Sequence, residues 1–161
     1  MALTTLQKTQ LNNMNASAQR ASLGTLVGGM EDGSAGLLRK ITQTVLFSEF
    51  TDGGGASGTF VLTAGSIPAG ATVLYSAVTA ITGFTGDTSA VIVIGDGTDA
   101  DRYNTGTPSV FTTAANGIAV GAPSGVVYHA AAKSVTLTVT SATDFGSVAA
   151  GSVTVSLYYL V

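Results

Sequence analysis

The chain has 161 residues, and only 9% of them are charged, compared with roughly 25% in ordinary soluble domains. It has no cysteine, one histidine and a net charge of −3, which argues against disulfides, zinc sites and a basic surface for nucleic acid. No run approaches the ~18 apolar residues of a membrane span, so we expect no membrane partner. A surface this neutral opposes self-association only weakly, and we expect much of it to be buried against other subunits. The alternative is a neutral β surface that Ser, Thr, Asn and Gly simply solvate.

Residues 1–40 are predicted to form an N-terminal arm, in which a short helix precedes a glycine-rich linker. Thr4 and Gln7 make a T-x-x-Q capping box, which satisfies two N–H groups at a helix start. Residues 24–36 (GTLVGGMEDGSAG) lack an apolar period, as a linker does. We expect the arm to reach a partner, and the alternative is a segment that is frayed or packs on its own domain. Its predicted contact residues are Leu6, Leu11, Met14, Leu23 and Leu26.

From residue 41 onward, the pattern predicts short strands separated by turns. The strands are expected at residues 41–50, 59–63, 71–82, 90–94, 126–130, 134–140 and 153–160, and short ones can form near 110–113 and 117–121. In SVTLTVT the alternation is strict, and Val135, Leu137 and Val139 are predicted to face inward. About eight strands without helices between them are typical of an antiparallel β-sandwich of jelly-roll type, here residues 41–161.

The strand at residues 71–82 (ATVLYSAVTAIT) is predicted to run without interruption. Strict alternation places Val73, Tyr75, Ala77 and Thr79 on one face, opposite Leu74, Ser76, Val78 and Ala80. The last strand alternates in the same way, with Val153, Val155, Leu157 and Tyr159 opposite Thr154, Ser156, Tyr158 and Leu160. Neither face of the strand at 71–82 is strictly polar, as expected when both are partly covered.

Residues 89–106 (SAVIVIGDGTDADRYNTG) contain the chain's densest group of carboxylates. Gly95, Gly97 and Ala100 fit the G-x-G-x-x-A spacing of a dinucleotide-binding loop, but no helical period follows and Pro108 interrupts the segment. The nearby carboxylates would also repel a pyrophosphate. We therefore expect a buried strand that runs into an acidic turn, with no bound nucleotide or other cofactor.

Asp96, Asp99 and Asp101 can in principle hold a cation, because carboxylates are hard oxygen ligands for Ca²⁺. The spacing fails the calcium-loop pattern, since the glycine comes second and Thr107 stands where that pattern has glutamate. We favour the alternative, in which the turn is solvated or paired with Arg102. Elsewhere we expect no metal site.

We expect no enzymatic activity and no catalytic residues. A nucleophilic triad needs a base, and the one histidine, His129, lies on a predicted strand with no G-x-S-x-G elbow in the chain. Hydrolysis of sugars by paired carboxylates needs two acids in a cleft, usually beside aromatic side chains. The chain has no tryptophan, and its acids cluster in turns.

Four segments, taken in order, carry a resemblance to a known family: VLFSEF, IPAGATVLYSAVTAITGF, AVIVIGDGTDADRY and the closing VTVSLYYL. Over residues 41–161 the chain resembles the decoration, or cement, proteins of tailed-bacteriophage heads. The resemblance implies a jelly-roll module, made in the host cytoplasm, that binds the phage head as a homotrimer. Its implied partners are further copies of itself and the major capsid protein, whose neighbouring subunits it clamps. The resemblance brings no catalytic or cofactor-binding residues.

Two other functions stay open from the sequence. One is a structural β module associated with the phage tail or fibre. The other is a carbohydrate-binding jelly roll, which requires exposed aromatic rings for sugar stacking. The tyrosines available for that purpose are Tyr75, Tyr103, Tyr128, Tyr158 and Tyr159.

Overall fold

The computed structural model describes residues 38–112, 118–121 and 127–161, which form two antiparallel sheets. These residues contain strands and short 3-10 turns but no α-helix, so the all-β prediction is confirmed for them. No helical turn among them has the length and apolar character needed to cross a membrane. The predicted contact residues of the arm lie outside the described residues: Leu6, Leu11, Met14, Leu23 and Leu26.

The first sheet brings the two ends of the described chain together. Its strands are β1 (Leu38–Leu46), β4 (Thr72–Thr85), β6 (Ile118–Gly121), β7 (Val127–Tyr128) and β9 (Ala150–Leu160). The strand order is β1-β9-β4-β6, and β7 pairs with β4 as well. β1 begins three residues before the predicted domain start at residue 41, and its first residue, Leu38, lies opposite Leu160 of β9.

The second sheet has the order β2-β3-β8-β5. Its strands are β2 (Thr51–Asp52), β3 (Ser57–Ile67), β5 (Ala90–Gly95) and β8 (Lys133–Ser141). The antiparallel pairs are nested along the chain, because β1 pairs with β9, β3 with β8, and β4 with β6 and β7. Inside them, Val91 of β5 meets Ser109 in an isolated antiparallel bridge.

One hydrophobic core joins the inner faces of the two sheets, as in a β-sandwich. Val135, Leu137 and Val139 of β8 are fully buried, while the threonines between them are only half-buried. This burial confirms the predicted alternation of β8. Each large aliphatic side chain buried here contributes about 1.5–3 kcal/mol relative to an exposed one.

The predicted alternation of β4 is wrong, because the strand contains β-bulges. Val73 is buried, and the next buried positions along the strand are Ser76 and Val78. Strict alternation had placed Ser76 and Val78 on the face opposite to that of Val73. The pairing with β9 shifts between Val73 and Tyr75, which makes Leu74 an extra, exposed residue. An added residue reverses the faces of all positions beyond it, so period-two reasoning fails at that point.

A second irregularity of β4 surrounds Ala80. The register against β9 shifts between Thr79 and Thr82, and Ala80 has a φ of +47°, in the left-handed region that costs a non-glycine residue roughly 1–2 kcal/mol. Beyond this point Phe84 returns to the core and is fully buried.

The strand predicted at residues 41–50 is also shorter than expected. β1 ends at Leu46, and a 3-10 turn, Phe47–Glu49, takes the chain from the first sheet to the second. The backbone N–H of Leu46 donates to the Glu49 carboxylate at 2.7 Å, which closes this turn. A continuous strand would have kept residues 47–50 in the first sheet.

Gly151 lets the Phe84 ring pack against β9, since its φ is +134° and a Cβ would overlap that ring. We expect Gly151→Ala to lower the free energy of unfolding by about 2–4 kcal/mol, through overpacking and backbone strain. Denaturant unfolding measures this difference. The matched control is Gly55→Ala, where a Cβ meets open space and which should change the stability by less than about 0.5 kcal/mol. Equal stabilities of the two variants would contradict the packing described here.

Candidate functional site

The turn after β5 is built around the side chain of Asp96, which is only 4% exposed. Its Oδ1 accepts hydrogen bonds from the backbone N–H groups of Thr98 at 2.9 Å and Asp99 at 2.8 Å. Aspartate commonly forms such a turn by accepting hydrogen bonds from N–H groups two or three residues ahead. A Cβ at Gly95 would collide with the Asp99 carbonyl, so glycine is required where the turn folds back on the strand.

Two cations flank the buried carboxylate. Arg102 Nε lies 3.7 Å from Asp96 Oδ2, and Arg102 Nη2 lies 3.4 Å from Asp99 Oδ2. From β8, Lys133 Nζ lies 3.6 Å from the same Asp96 oxygen. Pairing with Arg102 is the arrangement that the sequence favoured for this turn, whereas Lys133 was not anticipated.

The structure does not bring the three predicted carboxylates together as a cation site. Asp101 is exposed and takes no part in the ion pairs of Asp96 and Asp99. Among the described residues, no three His, Cys, Asp or Glu side chains are grouped so that they can hold a metal ion.

The surroundings of Asp96 favour its charged form. Burial by itself raises the pKa of this carboxyl, but the N–H groups of Asp99 and Thr98 lower it, and the charges of Lys133 and Arg102 lower it further. The pKa of Asp96 is therefore lower than usual in the folded protein. The carboxylate is charged at neutral pH and holds the turn and both cations in place.

Beyond the turn, the chain returns to β5 and closes this end of the core. Tyr103 N donates to the Ile94 carbonyl at 2.9 Å, and the Asn104 side chain accepts from Ile94 N at 2.7 Å. Asn104 also donates to the Gly106 carbonyl at 2.7 Å. Ser76 of β4 donates to the Tyr103 carbonyl at 2.6 Å, which ties the segment to the opposite sheet. Asn104 was missed by sequence reasoning, although an Asn-Thr-Gly sequence is a turn signal.

His129 is a packed residue bonded to Tyr103. The Tyr103 hydroxyl lies 2.8 Å from His129 Nε2, and both side chains are buried. Burial lowers the pKa of His129 and raises that of Tyr103. The imidazole is therefore neutral at neutral pH and shares a hydrogen bond with the Tyr103 hydroxyl, so this pair joins the segment after β5 to the segment after β7.

A cleft of about 360 Å³ opens beside these groups at the end of the sandwich. Its walls come from the turn after β5 and from the chain between β7 and β8. The residues that define it are Asp96, Arg102, Tyr128, His129, Ala131 and Lys133. Asp96, His129 and Val127 of β7 are its buried members, while Tyr128 is 60% exposed at its rim.

The outer face of the first sheet carries a second feature, which we call the outer-face patch. It consists of Leu38, Lys40, Leu74, Tyr75, Tyr128, Tyr158 and Leu160. Leu38, Leu160, Thr72 and Tyr128 lie opposite one another in a row across four strands, so their side chains share one face.

In the adjoining row of the outer-face patch, Tyr158 lies between a cation and a second ring. The Lys40 ammonium, on β1, stands 5.5 Å from the centre of the Tyr158 ring. On the other side, the centre of the Tyr75 ring of β4 lies 6.0 Å from the centre of the Tyr158 ring. The bulge of β4 exposes Leu74 next to Tyr75. An irregularity that the sequence did not predict therefore extends the apolar surface.

No protein-family model matches this chain, and no curated protein matches it. Among solved structures, a chain of the cyanophage Pam1 capsid asymmetric unit is similar, with a TM-score of 0.59 and 17% sequence identity. The match covers 77% of this chain and 84% of that chain, so the two are of similar length. At this identity the likeness shows a shared fold.

A variant that removes the charge of Asp96 but keeps its hydrogen bonds measures the contribution of the ion pairs alone. Asp96→Asn keeps an oxygen for the two N–H groups, and we expect it to lower the free energy of unfolding at neutral pH by about 1–3 kcal/mol. Because the folded-state pKa of Asp96 is lowered, its contribution is present above the unfolded-state pKa of about 4 and is lost as the pH falls through the folded-state pKa. The difference in the free energy of unfolding between wild type and variant should therefore become smaller below about pH 4.

Unfolding by urea at a series of pH values tests this prediction. Asp101→Asn is the matched control, since Asp101 is exposed and outside the ion pairs, and it should differ from wild type by less than about 0.5 kcal/mol. A gap for Asp96→Asn that is the same at about pH 2.5 and about pH 7 would show that the charge plays no part.

Proposed function

We propose that this chain is a virion structural protein of a tailed bacteriophage, and more specifically a capsid decoration protein. In this proposal it binds the head surface as a homotrimer and stabilises contacts between major capsid subunits, without catalysis or a cofactor. The observation that carries the proposal is the fold shared with a chain of the cyanophage Pam1 capsid over 77% of this chain. The segments that resemble decoration proteins support the finer assignment.

The nested strand pairs support a jelly roll within the all-β class. A jelly roll arises when a long antiparallel ribbon wraps so that its paired strands enter two facing sheets. Here the ribbon pairs are β1 with β9, β3 with β8, and β4 with β6 and β7, and the Val91–Ser109 bridge stands innermost. Successive pairs contribute to both sheets, as that wrapping requires.

The outer-face patch supplies the contact between copies in this proposal. Leu38 and Tyr128 are 59% and 60% exposed, and they lie in one row with Leu160 across four strands. Apolar area removed from water contributes roughly 25 cal/mol per Å², and the low charge of the chain leaves little repulsion to overcome. A trimer then presents three identical faces to a symmetric shell, and weak contacts add through multivalency.

The same physical features argue for protein partners over other classes. The net charge of −3 does not favour phosphate neutralisation, so nucleic acid has no part in the proposal. The proposed location is the outer surface of the phage head, after synthesis in the host cytoplasm.

A charge placed in the outer-face patch should break the trimer. We expect wild type to have the mass of three chains and Leu38→Asp to shift towards one chain, because an aspartate there would lose its water in the contact. Light scattering after size-exclusion chromatography measures both masses. Val61→Asp is the matched control, since Val61 is also exposed, at 51%, but lies in the other sheet. A trimeric Leu38→Asp variant would exclude the patch as the contact, and a monomeric wild type would exclude the trimer.

Removal of the arm should separate folding from head binding. We expect deletion of residues 1–36 to leave the β domain folded, because the nested pairs and the core belong to residues 38–161. We expect the truncated chain to bind purified heads lacking this protein more weakly, since the arm with its apolar residues would no longer reach a neighbour. Cosedimentation with heads, and with isolated tails in parallel, measures the occupancy.

Equal occupancy of heads by the full and truncated chains would contradict the arm's role. Binding of the full chain to tails and not to heads would instead support the tail-associated function and overturn the decoration proposal.

A further inference from the structure

His129 joins three segments of the β domain at one end of the sandwich. Its backbone N–H donates to the Ala71 carbonyl at 2.9 Å, and its carbonyl accepts from the Gly70 N–H at 2.8 Å, which connects it to the turn before β4. Its Nε2 lies 2.8 Å from the Tyr103 hydroxyl, which connects it to the segment after β5. The chain has one histidine, so His129 is the side chain whose ordinary pKa, about 6.5, lies between pH 5 and 8.

Protonation of the imidazole leaves the Tyr103 hydroxyl without an acceptor. A neutral imidazole can accept a hydrogen bond through one ring nitrogen, whereas both nitrogens of an imidazolium donate. In the described part of the chain, His129 Nε2 is the polar atom that this hydroxyl contacts, and Tyr103 is fully buried. A buried hydroxyl that loses its acceptor and cannot reach water destabilises the arrangement. The charged form of His129 therefore favours a conformation in which the two side chains separate.

The surroundings of His129 also oppose an imidazolium. Burial lowers the pKa of His129, and Lys133 and Arg102 lower it further because both are cations. Asp96 acts in the opposite direction, but it already pairs with Arg102 at 3.7 Å and with Lys133 at 3.6 Å. The turn before β4, residues 68–71, has no titratable side chain. As the pH falls below about 6.5, a form in which the imidazole reaches water therefore takes up a proton before the closed form does.

Tyr128 links this site to the outer-face patch. It precedes His129, lies opposite Thr72 of β4 and is 60% exposed, whereas His129 is buried. Neighbouring residues of an extended segment point to opposite faces, so His129 points into the domain while Tyr128 points outward. Because β7 has only two residues, the backbone bonds of His129 extend its short pairing with β4. Movement of His129 therefore displaces Tyr128.

We propose that His129 is an acid-sensitive switch for the contact between copies. Its protonation releases residues 127–131 from Tyr103 and from the start of β4, which withdraws Tyr128 from the outer-face patch and separates the copies. The inference rests on the proposed function for the contact between copies and on the geometry alone for the release. Acidification also reduces the net charge of −3, which by itself favours association. Dissociation at low pH thus has the opposite sign to that general effect.

Light scattering at about pH 7.5 and about pH 5, at one protein concentration, tests the effect on assembly. We expect wild type to have the mass of three chains at the higher pH and to shift towards one chain at the lower pH. His129→Gln should keep the mass of three chains at both, because glutamine can accept the hydrogen bond and gains no proton. A wild type that stays trimeric at the lower pH, or equal dissociation of His129→Gln, would overturn the switch.

NMR of wild type measures the release itself, without a variant and without assembly. We expect the single imidazole to titrate with a midpoint below about 6.5, and amide exchange of residues 127–131 to become about tenfold faster relative to β8 over the same pH range. Tyr103→Phe, which removes the hydroxyl, should show this faster exchange already at neutral pH.

Titration of the imidazole without a change in the exchange of residues 127–131 relative to β8 would contradict the proposal. A wild type that is monomeric at neutral pH would overturn the proposed function instead, and the NMR titration would still decide the switch.

Discussion

The pairing of β9 with both β1 and β4 is the constraint on which the rest of the structure depends. β9 is the last strand in the chain, yet it lies inside the first sheet, between β1, where the described residues begin, and β4, from the centre of the sequence. Its inward side chains Val153, Val155 and Leu157 are fully buried in the shared core. Because the closing strand holds the opening strand in place, the sandwich forms only when distant parts of the chain meet.

Strict alternation in the sequence predicted the inward and outward faces correctly where a strand contains no bulge. β8 shows this, since its alternation of valine or leucine with threonine agrees with its burial. The faces of β4 were not predictable in the same way, because the bulge at Leu74 arises from pairing with β9 and leaves no mark in the local sequence. The nested pairs join strands that lie far apart in the chain, so this pairing was visible only in the structure.

The candidate site was predictable only as a turn. Aspartate and glycine after an apolar run indicated a strand that ends in a turn, and Arg102 was close enough in sequence to be considered as a partner. Lys133 and His129 were not, because tertiary folding alone brings them next to Asp96 and Tyr103. The site therefore combines a local hydrogen-bonded turn with charges supplied by β8. This combination makes the most acidic stretch of the sequence one wall of a cleft in which carboxylates and cations are paired.

A neutral exterior, an apolar outer face and one charged cleft together suit a protein that works by fitting against others. The central claim is that the others are subunits of a phage head, and electron cryomicroscopy of heads assembled with and without this chain tests it most directly. The account predicts three-fold symmetric density on the outside of the shell, which fits three copies of the β-sandwich and is absent when the chain is absent. Identical maps of the two kinds of head, under conditions where the protein is present and folded, would contradict it.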